Sequence, residues 1–332
     1  MRKFIQFFTV AIIAFSASIL SADIKPAVIY DMGGKFDKSF NEGVYNGVQR
    51  FTKETGIKVM EFEVTNEAQR EQGMRKMAQR GADVILCVGF SQADACDKVA
   101  KEFPDTKFSI IDVGWLDNPN MRQYVFKEHE GSFLVGALAA MASKTGKVSF
   151  VGGQDVPIIK KFACGYVQGA KAVNSKIEVF QNMTGDTPAA WNDPAKGSEL
   201  AKSQFDRGSD VVFAAAGGTG AGVYQAAADS GKLAIGVDSN QNHMQPGTML
   251  TSMLKRVDLA AYQTFMDVKN GNFTSGVAVL GLAEEGVGWA LDEHNESLIT
   301  DVMKSTIKGL ANKVVAGDIK VHDYLSDNNC PS

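Results

Sequence analysis

Apolar residues along the 332-residue chain follow two rhythms. Short β-branched runs without alternation recur at 27–30, 59–64, 84–88 and 108–113, and a second series follows at 148–151, 177–180, 211–214 and 234–237. Between them lie stretches with helical spacing. Residues 42–55 carry Val44, Val48 and Phe51 on one face, and residues 68–80 carry Met74, Met77 and Ala78. Strands that are apolar throughout are buried on both faces, and strand–helix alternation predicts parallel sheets covered by helices. In each series the first two strand starts stand about 30 residues apart, the length of one βαβ unit.

The segments joining the two series sharpen this picture. Residues 123–127 predict a short strand, and the Ala-rich stretch 130–144 predicts a long helix opening the second series. Later come an extended segment at 249–255, a helix at 259–269, a strand at 277–282 and a terminal helix at 297–315. Late segments returning to the first half make several crossings between halves. The predicted fold class is therefore α/β, with two Rossmann-like lobes of parallel sheet joined by a hinge around a cleft, an arrangement suited to enclosing a ligand. The expected division is residues 1–22 as a signal peptide, 23–128 with about 256–283 as one lobe, and 129–255 with about 284–325 as the other.

The amino terminus stands apart from both rhythms. Arg2 and Lys3 precede an apolar, charge-free run over 4–20, followed by Ser21 and Ala22, the layout of a cleavable secretory signal. An uncleaved anchor is the alternative, although so short a run is marginal for about 30 Å of hydrocarbon. A soluble, exported protein is expected.

Composition excludes several classes. With 45% hydrophobic and 22% charged residues the chain is neither disordered nor fibrous. A formal charge of −4, or −6 once Arg2 and Lys3 are removed, offers no field for a nucleic acid backbone. The four histidines (129, 243, 294 and 322) are scattered, so neither a metal site nor a cofactor is expected. Of the four cysteines, an oxidising compartment permits disulfides in three pairings that sequence leaves open. Cys87, inside the run VILCVGF, reads as a buried small hydrophobe rather than a bonded residue.

In open parallel sheets ligands sit beyond the carboxyl ends of the strands, so the residues just after each strand are the candidates. After the first strand come Asp31 and a Gly33, Gly34 loop; Ser39 and Glu42 fit a capping box, which starts a helix at Phe40. Asp31, Phe40 and Asn41 then converge, suiting a flat hydrogen-bonding heterocycle; Phe40 packing under its helix and Asp31 capping a turn is the equal alternative. Asp112 breaks an apolar run at the end of the fourth strand, as a ligand contact or as a structural hydrogen bond.

In the second half Trp191 precedes Asp193 as helix cap and Pro194 at the first helical position. Trp191 either faces Phe40 across the cleft or seals its own domain. The glycines over 217–222 follow a strand but lack the dinucleotide spacing; Gly217 reads as part of a tight turn whose amides approach a ligand. Asp238, at a strand end, suits a ribose diol. Lys255, on a crossing segment, either donates to the same sugar or is, with Arg256, an ordinary solvated charge.

Taken together, Asp31 with Lys38, Ser39, Phe40 and Asn41, then Val151, Gly152, Gly153 and Ile158, then 192–197, 216–220, 236–238 and 251–258 resemble the basic membrane protein family of ABC transporter substrate-binding proteins, similar to purine-nucleoside-binding lipoproteins. The resemblance runs over nearly the whole chain after residue 22. It implies a type I periplasmic-binding fold, a purine nucleoside (inosine, guanosine or adenosine) in the cleft, and a membrane permease as partner for a monomeric protein. It further implies that Phe40 and an aromatic of the second lobe sandwich the base, that Asn41 and Asp112 address its edge, and that Asp238 and Lys255 hold the ribose. Two departures are plain. The chain lacks the lipid-bearing cysteine of many relatives, which fits a free periplasmic protein, and it carries Trp191 where many have Phe. Against an enzyme, either a dehydrogenase or a nucleoside hydrolase, stand dispersed carboxylates without a nucleophile–base pairing. Another flat heterocycle, a free base, a sugar, or a sensory role remain open beside transport.

Overall fold

The computed structural model describes residues 24–331; the expected signal peptide, residues 1–22, lies outside the described residues. The chain begins with β1 (Pro26–Tyr30), α1 (Phe40–Thr55), β2 (Met60–Glu63), α2 (Gln69–Gln79), β3 (Val84–Cys87), α3 (Ala93–Glu102), β4 (Lys107–Ile111) and β5 (Met121–Phe126). It crosses into α4 (Glu128–Ala142), β6 (Lys147–Gln154), α5 (Pro157–Val173), β7 (Glu178–Gly185), α6 (Pro194–Asp206), β8 (Val211–Ala215), α7 (Gly220–Asp229), β9 (Leu233–Asp238) and β10 (Met249–Lys255). The last elements are α8 (Val257–Lys269), β11 (Gly276–Leu280), β12 (Val287–Trp289) and α9 (Asp301–Ala316).

These strands form two six-stranded sheets, ordered β2-β1-β3-β4-β5-β11 and β7-β6-β8-β9-β10-β12. Every pairing is parallel except β12, which runs antiparallel to β10. The apolar runs predicted as buried strands occupy the centres of the sheets: β1, β3 and β8 are buried at every position. The two-lobe α/β fold expected from the alternation is thus the one observed. Helix α4, rich in Ala, Gly, Leu and Phe, is buried along nearly its whole length. It crosses α5 so closely that a methyl group on Gly136, Gly165 or Gly169 would run into the facing backbone.

Three segments pass between the sheets: 126–128, 255–257 and 280–287. They are tied to each other by backbone hydrogen bonds, with Lys127 N donating to Leu280 O (3.0 Å) and Arg256 N to Gly286 O (2.8 Å). Glu130 Oε2 accepts from Leu282 N at 2.8 Å.

Three expectations are corrected. Cys87 is buried but bonded, to Cys96 on α3, and Cys164 on α5 is bonded to Cys330 near the carboxyl end. The apolar context of Cys87 concealed a partner nine residues on that α3 folds back over β3. The terminal helix starts at Asp301 rather than 297, with Thr300 Oγ1 as its cap, accepting from Met303 N at 3.2 Å. Third, α1 does start at Phe40, but without a capping box: Ser39 makes no cap bond and Asp37 takes that role instead.

Candidate functional site

A cavity lies between the two sheets at the carboxyl ends of their strands, where about 690 Å³ is free of protein atoms, open solvent at its mouth included. All eight residues singled out from sequence line it. Asp31, Phe40, Asn41 and Asp112 come from the first lobe, following β1, opening α1 and following β4. Trp191, Gly217, Asp238 and Lys255 come from the second, preceding α6, following β8 and ending β9 and β10.

The start of α1 is organised by Asp37. Its Oδ1 accepts from Ser39 N (2.8 Å) and Glu42 N (3.1 Å), and its Oδ2 accepts from Asn41 N (3.0 Å) and Asn41 Nδ2 (3.2 Å). A carboxylate on orphan amides of a first helical turn is favoured by hydrogen bonding and by the helix dipole. Asn41 completes the arrangement by accepting from Asp31 N through Oδ1 (3.1 Å). The Asp31 carboxylate takes Met32 N (2.8 Å) and Ser91 Oγ (2.7 Å), with Arg70 Nη2 at 3.8 Å. Burial raises the pKa of Asp31 above the usual carboxylate value, and these donors oppose the shift. All of these partners belong to the first lobe.

The aromatic walls come from opposite lobes. Phe40 opens α1. Trp191 ends a single 3-10 turn (Pro188–Trp191), held by Thr184 Oγ1 and Thr219 Oγ1, which donate to Ala190 O at 3.0 and 2.8 Å; Asp193 Oδ1 then caps α6 by accepting from Lys196 N at 2.9 Å. The indole lies against Gly153 at the end of β6, where a methyl group would overlap the ring, and beside Gly217, whose φ of 57° is left-handed. Gly153 thus makes room for the tryptophan and Gly222 for α6, since a side chain at Gly222 would meet Pro194.

The third region is charged and spans the gap. Asp112 and Asp238 both have left-handed backbones, with φ of 68° and 63°; strain of this kind clusters where function over-determines geometry. Lys255 Nζ lies 2.7 Å from Asp112 Oδ1 and 3.0 Å from Glu128 Oε1. Its ammonium also stands over Phe40, Phe126 and Phe162, with ring centroids at 5.2, 5.3 and 5.6 Å, within cation–π range. Asp238 Oδ2 accepts from Ser39 Oγ of the first lobe at 2.6 Å. Nearby, Ser239 Oγ donates to Ser39 O (2.9 Å) and Gln241 Nε2 to Lys38 O (2.8 Å), so the lobes are in contact. Burial pushes Asp238 up to about 6 against the pull of Lys255 and Ser39. Asp112 is raised for the same reason, while Lys255 is raised by the surrounding carboxylates although burial opposes it. Lys255 is 3% exposed and so is no solvated surface charge, whereas Arg256 pairs with Asp258 through two contacts of 2.8 and 2.9 Å. Asp112, expected with Asn41 to address the edge of a base, makes its ion pair with Lys255.

Sequence reasoning missed Asp37, Phe90, Ile158, Ile159 and Phe162, which also line the cavity. Phe90 directly follows the loop after β3 and was within reach of the strand-end rule. Phe162 was not, because it lies on the second turn of α5 and its apolar spacing reads as core.

The chain matches the family model described as ABC transporter substrate-binding protein PnrA-like over residues 24–324. It is 33% identical over 323 residues to the CD4+ T-cell-stimulating antigen of Listeria monocytogenes, covering 91% of this chain and 88% of that one. It is 30% identical over 308 residues to the ABC transporter nucleoside-binding protein BmpA of Lactococcus lactis, covering 86% and 87%. A solved solute-binding protein of an ABC transporter system from Aeropyrum pernix superposes with a TM-score of 0.82 at 28% identity, covering 90% of this chain and 92% of that one. With its two lobes, its interlobe cavity and a match along nearly all its described length, the chain belongs to the Bmp family of PnrA-like ABC transporter substrate-binding proteins.

Proposed function

We propose that the protein binds a purine nucleoside in the interlobe cavity and delivers it, chemically unchanged, to the permease of an ABC transporter. The observation that carries this reading is the placement of Phe40 and Trp191, one from each lobe, in a cavity that also holds four carboxylates and an ammonium. A purine between two rings gains about 1–3 kcal/mol per base–aromatic contact. Asp238 accepts the two adjacent ribose hydroxyls and Lys255 donates to the same sugar; Asp31 and Asn41 address the base edge. Asp112, paired with Lys255, is assigned to the sugar end rather than to the base. Such contacts suit an affinity near micromolar, about 8 kcal/mol.

The name of the Lactococcus relative supports a nucleoside over other solutes. The cavity carboxylates are occupied by Lys255, Ser39, Ser91 and backbone amides, and among the described residues no histidine or cysteine lines the cavity beside them, which favours binding without chemistry. The lobes are taken to move as 23–128 with about 256–283 and 129–255 with about 284–325, about the three crossings. Export to the periplasm through residues 1–22, and a monomeric state, complete the proposal.

The test is calorimetric titration of the chain from residue 23 with inosine, followed by chromatography of the recovered ligand. Saturable binding with inosine returned intact supports the proposal. Release of hypoxanthine, or heat only with an unrelated sugar, contradicts it.

A further inference from the structure

Behind Lys255 lies a chain of buried charges that does not reach the cavity. Glu128 is the first residue of α4 and ends the first crossing, and Lys255 is the last residue of β10 and begins the second. Glu128 bridges two ammonium groups: Oε1 lies 3.0 Å from Lys255 Nζ and Oε2 lies 3.0 Å from Lys161 Nζ. Lys161, on α5, also donates to Phe126 O at 2.7 Å and lies 3.4 Å from Asp323 Oδ2. Glu128 is 1% and Lys161 5% exposed, and neither lines the cavity. Asp323 belongs to the terminal segment that the disulfide from Cys164 to Cys330 holds against α5.

We infer that Glu128 and Lys161 are positioning residues that set where the Lys255 ammonium stands in the cavity and tie that position to the crossing segments. Stability does not account for the arrangement, because buried ion pairs are commonly neutral or inferior to apolar side chains of similar volume. The surroundings of Lys255 do account for it. Its other carboxylate contact, Asp112, itself lines the cavity, and the three rings around the ammonium are non-directional acceptors. Glu128 is therefore the partner that anchors the ammonium from outside the cavity, and it is itself held by Lys161. Lys161 in turn is fixed to the carbonyl of Phe126, at the end of β5, where the first crossing begins. Any opening that changes the path of residues 126–128 relative to β10 must alter the contacts of Lys255.

This inference rests on the nucleoside reading only through the role given to Lys255, and the test separates the two. Inosine affinity is measured for the wild type, Glu128→Gln, Lys161→Met, Lys255→Met and the double variant Glu128→Gln with Lys255→Met, with thermal unfolding as a check on folding. Glu128→Gln and Lys161→Met are each expected to weaken inosine about tenfold or more while leaving hypoxanthine within about twofold. In the Lys255→Met background, Glu128→Gln is expected to cost nothing further. A Glu128→Gln protein that binds inosine like the wild type, or a loss that persists at full size without Lys255, overturns the inference. A wild type that takes up no inosine overturns the nucleoside reading instead. The inference is then decided without ligand by ¹⁵N NMR, where the buried Lys255 ammonium is expected to give a slowly exchanging resonance in the wild type. That signal is expected to be lost in Glu128→Gln, and its persistence unchanged contradicts the role.

Discussion

The two sheets repeat one strand order, and matching positions in them do different work. Asp112 follows β4 and Asp238 ends β9, the fourth strands along equivalent orders, and both take left-handed backbones. Each reaches across the gap: Asp112 to Lys255 of the second lobe, Asp238 to Ser39 of the first. The ends of β1 and β6 also match, yet Asp31 is satisfied within its own lobe, and Gly153 in the other carries no side chain and is covered by Trp191. One scaffold thus supplies two kinds of site residue. Those after β4 and β9 make contacts that exist only when the lobes meet; those after β1 and β6 shape one wall whether or not the lobes meet.

The comparison breaks most sharply at Asp238. On the proposed reading, Asp238→Ala removes the acceptor for both ribose hydroxyls, each charge-assisted hydrogen bond being worth about 1.5–3 kcal/mol. The expected loss of inosine affinity is about 100-fold or more, with the fold retained, since the native carboxylate is buried against its preference. Calorimetry showing unchanged affinity would remove the ribose assignment. Phe40→Ala, on the lobe-local side, is expected to cost about 1–3 kcal/mol of binding, and to weaken hypoxanthine as much as inosine; a loss confined to inosine would place Phe40 at the sugar.

A pH series separates the two kinds of carboxylate further. Asp238 titrates near 6 in the unliganded fold, above its ordinary value, so its burial costs stability that grows as pH rises from about 4 to about 6 and is regained as pH falls. On the proposed reading the ligand requires the ionised form. Binding near pH 6 is therefore expected to release protons, seen as a buffer-dependent heat, and affinity should fall by up to about tenfold per pH unit below 6 while staying level above it. Proton uptake on binding would reverse the assignment. The smallest expected effect is that of Trp191→Phe, which keeps a planar ring over Gly153; a change under about 1 kcal/mol is expected, and a larger one would make the indole itself the determinant of ligand choice.

The fold was legible because its strands are apolar on both faces, a pattern that survives without knowledge of tertiary contacts. β12 escaped because three residues, Val287, Gly288 and Trp289, carry no periodicity; partnership with β10 makes them a strand. The site was legible at strand ends, where an Asp after an apolar run is conspicuous, and this exposed Asp31, Asp112 and Asp238. It was illegible where function depends on partners distant in sequence. Ser39 had the right spacing for a cap, yet its hydroxyl goes to a residue 199 positions away. Nothing in the sequence sets Glu128 and Lys161 apart, because only folding brings Lys255 to the same buried place.

The account's central claim is that Asp238, reaching across from the second lobe, recognises a sugar diol. Wild type and Asp238→Ala are to be titrated with inosine and with 2′,3′-dideoxyinosine under one buffer. The account predicts that the wild type prefers inosine by about 100-fold or more and that the preference vanishes in the variant. A wild type that binds both compounds equally would contradict it.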